Sequence, residues 1–172
     1  LKFINDKGAA GAANDICGII SFYGDDAAQT NMEFAKIEGI VAVHTDGQEG
    51  GKIKLTVASH DGELQPGLII TDGSAEDEVD VTIGNGSESL TTISGDMTVT
   101  GDLTVSGDTT TVGTDADGTD RTITFGHTTL KTVIGIDDSG DVFAINTDNA
   151  FEAANDLQID ASGNVTAGNG SI

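Results

Sequence analysis

Basic side chains are scarce in this sequence: 7 lysines and arginines face 29 aspartates and glutamates, a formal net charge of −22 over 172 residues. Nucleic-acid binding needs cationic surface to displace counterions from phosphate, so that partner class is excluded. Anionic membrane surfaces repel the chain for the same reason, and no apolar run is long enough to insert into a bilayer. Cys17 is the single cysteine, so no disulfide can form within one chain. Set in the apolar run Ile16-Cys-Gly-Ile-Ile20, it reads as a small buried hydrophobe. A single proline argues against a Pro-rich linker. Tryptophan is absent, aromatics make up 4% and hydrophobic residues 37%, which leaves little material for a large core within one chain. No secretory leader is present and the chain opens on Leu1 rather than Met, so it reads as a segment of something longer. Acidity of this degree suits a protein that works in salt, where charges are screened over a few ångströms.

Glycine, by contrast, is plentiful, and it is periodic. Gly95, Gly101, Gly107 and Gly113 fall six residues apart, and the first three are each followed by aspartate: Asp96, Asp102 and Asp108. Met97 and Val99, then Leu103 and Val105, occupy equivalent places between the glycines. Alternating side chains between Gly-Asp corners predict short β-strands joined by tight turns. The β-branched content and the glycine spacing exclude a helix. Each hexad offers one narrow apolar stripe and otherwise only Thr, Ser and Asp. One chain cannot bury such a stripe, whereas several copies around a common axis can, with Ile93, Met97, Val99, Leu103 and Val105 packing on the trimer axis.

Before the hexads, residues 1–86 carry about seven strand signals. They begin with Leu1-Lys-Phe-Ile4 and Ile16–Tyr23, and continue through a long stretch to Val43 with a bend at Gly39. Ile53, Leu55 and Val57 then alternate with Lys52, Lys54 and Thr56. Asp61-Gly62 is a hairpin signal. Pro66-Gly67 marks an edge or a bulge, and Val79, Val81 and Ile83 close the series. This pattern predicts a small antiparallel β-sandwich. Residues 87–113 would form a β-helical or β-prism shaft segment. Residues 114–172 would form a second small β domain around Ile123, Phe125, Leu130–Ile136 and Val142–Ile145. The fold expected is all-β throughout, assembled as an intertwined homotrimer.

The layout repeats. Val81-Thr-Ile-Gly-Asn-Gly-Ser87 returns as Val165-Thr-Ala-Gly-Asn-Gly-Ser171, so the second domain ends where a further run of hexads would begin. Hexads of the Gly-Asp-Leu-Thr-Val type, preceded by Val-Thr-Ile-Gly-Asn-Gly and followed by small β modules, resemble bacteriophage tail fibres. Leu1-Lys-Phe-Ile-Asn-Asp-Lys-Gly8 and Leu130-Lys-Thr-Val-Ile-Gly-Ile-Asp-Asp138 are similar to modules in fibres of marine phages. The resemblance implies a homotrimeric, extracellular virion protein without catalysis. It would join other tail or virion proteins to a tip that binds a host receptor or glycan, the tip lying outside this segment. The same sequence leaves three further readings: a polysaccharide-degrading trimeric tailspike, a capsid-attached fibre or secreted adhesin, and a hexapeptide-repeat acyltransferase. The last needs several coils where three hexads make about one.

Sites for chemistry are few. Asp115, Asp117 and Asp120 flank Gly118 and form an oxygen cluster that could hold calcium, though without the further ligands of an EF-hand. The plainer reading of that loop is a solvated turn, and Asp137-Asp-Ser-Gly-Asp141 is a weaker version of it. His44, His60 and His127 have no metal-ligand spacing within one chain; His127 could meet its copies only across a three-fold axis. No nucleophile elbow, nucleotide loop or Cys-His pairing is present. With 29 acidic residues, a carboxylate pair at a glycosidase separation carries no information.

Overall fold

The computed structural model describes residues 1–6, 8–113, 118–148, 150–151 and 155–168. The chain divides into two compact units, Leu1–Thr98 and Val99–Ile172. Each is built on one flat, five-stranded antiparallel sheet.

In the first unit, β1 (Ile16–Asp25), β2 (Asn31–Val43), β3 (Gly50–Ala58), β4 (Leu64–Asp72) and β5 (Val79–Ile83) lie side by side in chain order. Their turns are fixed by local chemistry. Asp26 Oδ1 accepts the amides of Ala28 and Thr30 at 2.8 Å each, closing the β1–β2 hairpin. Between β3 and β4, Gly62 takes a positive φ of 86° that Asp61-Gly62 supplies without strain. Opposite Leu55 and Thr56 the register slips by one residue, so Gly67 bulges out between Pro66 and Leu68, where the sequence marks it.

The register puts one set of alternating residues on each face. Ile20 faces Ile37, Ile37 faces Leu55, Leu55 faces Leu68, and Leu68 faces Ile83. That face is apolar from edge to edge. The opposite face carries Lys36, Glu38, Lys52, Lys54 and Thr56, three of the chain's 7 cations among them. There Glu38 is buried between two lysines, with Lys36 Nζ at 3.0 Å and Lys54 Nζ at 3.7 Å. The apolar face has almost nothing over it. Phe3 lies against Gly18, which is opposite Gly39, and a Cβ at Gly18 would collide with the Phe3 ring. Elsewhere Ile53 is 46% exposed and Val81 56%.

The second unit follows the same plan. β6 (Arg121–Phe125), β7 (Thr132–Asp137), β8 (Val142–Asn146), β9 (Leu157–Asp160) and β10 (Val165–Ala167) again lie in chain order. The repeated heptad has a structural meaning: Val81-Thr-Ile83 ends β5 and Val165-Thr-Ala167 is β10, the last strand of each sheet. One face carries Ile123, Phe125, Ile136, Phe143 and Val165, all exposed. The other holds Val133 and Ala144, the two buried hydrophobic residues among those described.

The sandwich expected for residues 1–86 is not formed. A sandwich needs two stacked sheets, and here all strands enter one. Seven strand signals become five because Leu64 and Leu68–Ile70 join in one β4 that runs through the Pro66-Gly67 bulge, and Leu1–Ile4 joins no ladder; β2 runs unbroken through the bend expected at Gly39. The prism-like, intertwined shaft is likewise overturned. Neither sheet closes into a barrel or curls into a solenoid or prism. Residues 87–113 contain no strand, and from Leu90 to Gly113 no backbone–backbone hydrogen bond forms among the described residues. The chain bends at Gly95, Gly101, Gly107 and Gly113, so the period of six survives as a period of bends. A strand is stable only with a neighbour to take its amides, and the hexads have none among the described residues. Cys17, expected inside, is exposed: it sits at the register slip between Ile16 and Gly18.

Candidate functional site

The hexad side chains named for axis packing all point into open space. Ile93, Met97, Val99, Leu103 and Val105 are exposed, Leu103 by 69%. Asp96, Asp102 and Asp108 make no hydrogen bond to protein among the described residues. The connector therefore presents a row of separated apolar side chains paced by glycine bends, without internal fastening.

Asp115 and Asp117 of the calcium candidate lie outside the described residues. The third member, Asp120, accepts the Asp138 amide at 3.0 Å through Oδ1. Asp138 in turn accepts the Gly118 amide at 2.8 Å, with Arg121 Nη1 3.9 Å from its other oxygen. These contacts fasten the start of β6 to the turn after β7. His127 Nδ1 accepts the amides of Thr129 and Leu130, both at 3.2 Å, which makes it a turn cap. Among the described residues no three His, Cys, Asp or Glu side chains converge on a possible metal position.

Most acidic side chains with resolved partners serve the turns in the same way. Glu78 Oε2 takes the amides of Ser74 and Ala75 at 2.6 and 2.9 Å, and the Ser74 amide foremost holds its carboxyl below the usual range. Hydrogen bonds from Ser59, Thr147 and Asn164 depress Asp61, Asp156 and Asp160 similarly. A general acid needs a raised pKa near the working pH, so these four are fitted to structure rather than proton donation. Beside the ends of β2 and β4 lies an open cleft of about 830 Å³ lined by Glu49, Asp72, Glu76, Asp77 and Glu78. Of its acids, Glu78 is the turn acid just described and Asp72 is the last residue of β4.

What sequence reasoning missed in the Asp137–Asp141 turn is the burial of Asp137, the last residue of β7. It is 3% exposed and accepts four hydrogen bonds: from the Ser139 amide and hydroxyl, the Gly140 amide, and Asn155 Nδ2 at 2.9 Å. The only available signal was the Asp-Asp-Ser-Gly turn chemistry. Asn155, 18 positions away, carries no local mark of the contact.

Charge has a consequence for the whole chain. At −22, any association multiplies like-charge repulsion. Raising NaCl from 0.01 to 1 M shortens the screening length from about 30 to about 3 Å, so the melting temperature should rise by several degrees. Calcium and magnesium at equal ionic strength should give the same melting temperature unless Asp115, Asp117 and Asp120 bind calcium. In that case calcium alone adds to it, and their replacement by Asn removes the addition.

No protein-family model, no curated protein and no solved structure matches this chain.

Proposed function

We propose that this chain is a structural segment of a trimeric phage tail fibre, giving reach between the virion and a tip that binds the host surface. Its work is mechanical and involves no catalysis. The observation that carries the reading is the connector. Between two sheets of the same design runs a stretch bent at every sixth residue, with no hydrogen bonds of its own and apolar side chains in the open. Such a stretch gains little as a single chain and much as one of several parallel copies, where Ile93, Met97, Val99, Leu103 and Val105 meet their equivalents. Extended backbone adds roughly 3 Å of reach per residue, and repetition of domain and connector lengthens the object without new design. The return of the Val-Thr-x-Gly pattern at the end of both sheets supports that modularity.

Sedimentation equilibrium tests the reading. The purified chain at micromolar concentration should sediment as a trimer. A stable folded monomer across that range would overturn it.

A further inference from the structure

We infer that the apolar face of the β1–β5 sheet is the surface on which a second copy of this chain packs. The inference rests on the fibre reading only for the number of copies.

The first ground is area. A folded monomer of 17.4 kDa exposes about 7,900 Å² by the size scaling of globular proteins, whereas this chain exposes 13190 Å². The exposed apolar side chains of the connector and of the sheet faces contribute to the excess, beside the division into two units. Five strands about 4.8 Å apart, with seven residues each rising about 3.3 Å, make a plate of roughly 550 Å² in projection. That equals the largest apolar patch of an ordinary monomer before side-chain relief is added. With relief it approaches the 800 Å² or so per partner of a stable protein–protein interface. An isolated sheet with a bare apolar face lacks the second layer that every stable architecture supplies.

The second ground is charge, which selects the occupant. The chain carries 29 acidic side chains, yet along the paired positions of the apolar face only Asp72, at its margin, is ionisable. The other acids of this unit lie in turns or, like Glu38 and Asp80, on the opposite face with the lysines, so two copies can meet here without setting like charges directly against each other. Phe3, lying against Gly18, shows how an aromatic side chain seats on this face.

Edge strand β5 provides the test, because Val81 is on the apolar face and Thr82 on the other, and both are exposed in the single chain. Val81→Asp therefore asks little of the isolated sheet and much of an interface. Sedimentation should show the midpoint of self-association moved to at least about tenfold higher concentration for Val81→Asp, and unmoved for Thr82→Asp. A second readout covers a variant that fails to fold. In a Cys17→Ser background, thiol labelling of Val81→Cys should be at least about tenfold slower than that of Thr82→Cys at assembling concentration. On dilution to single chains the two rates should converge.

The outcomes separate. A wild-type trimer whose association Val81→Asp leaves unchanged, with Val81→Cys labelling freely, overturns this inference and leaves the fibre reading standing. A dimer with both effects present supports the inference and overturns the trimer. Protection of Val81→Cys that persists on dilution means the chain covers the face itself, and a monomer labelling freely at every concentration means nothing does. Either result overturns the inference.

Discussion

Gly135→Ala should destabilise the second unit by on the order of 3 kcal/mol, a large share of the roughly 5–15 kcal/mol that holds a domain together. Gly135 lies in mid-β7 opposite Thr122 of β6 and Ala144 of β8. A Cβ built there lands on the carbonyl of Arg121 and against the Thr122 backbone. No rotamer relieves a clash with backbone, so the β6 edge must move away or its ladder must open. Gly126, just beyond β6, has open space around the equivalent position, and Gly126→Ala should be nearly neutral. Urea denaturation of the two variants, with amide exchange across β6 and β7, checks this. Equal stability of both would mean that the two strands do not approach as closely as described.

The second large effect belongs to Asp137. Asp137→Ala leaves the amides of Ser139 and Gly140 and the Asn155 side-chain amide without their acceptor, at a cost of about 2–4 kcal/mol. Burial acts to raise this carboxyl, but the hydrogen bonds from Ser139, Asn155 and Gly140 outweigh it and hold the pKa below the ordinary value. A carboxyl depressed in the folded state stabilises fully above its unfolded pKa of about 3.9 and stops doing so as pH falls through the folded value. The gap in stability between the native protein and Asp137→Ala should therefore be constant from about pH 5 upward and narrow below about pH 3.9. A gap unchanged down to pH 2 would show that the ionised form is not what the network holds.

What the sequence disclosed, and what it withheld, follows one line. Alternation in Ile53–Val57 and Val79–Ile83 is a property of a strand and its two faces, so those strands were legible, as were Asp61-Gly62 and the Pro66-Gly67 bulge. Alternation says that one face is to be covered but not by what. The expected sandwich supplied a second layer from the same chain where none exists. The hexads failed for a related reason: their alternation resembles that of Val79–Ile83, but β5 has β4 beside it and the hexads have no partner strand among the described residues. Nothing local marks Glu38 or Asp137 as buried, because burial of a carboxylate depends on residues far along the chain, Lys54 for one and Asn155 for the other. Gly135, inside the apolar run Val133–Ile136, carried a usable signal that went unread, since glycine within a strand marks a close backbone approach.

The order of strands in both sheets also sets how the molecule comes into being. Every strand pairs only with its neighbours in the chain, β1 with β2 through to β4 with β5, and β6 with β7 through to β9 with β10. No pairing waits for a distant segment, so the loop-closure entropy that slows most β-proteins is small at each step. Each hairpin can zip as soon as its second strand is synthesised. All pairings of the first sheet are made by residues that precede the hexads, so its apolar face can form independently of everything after β5.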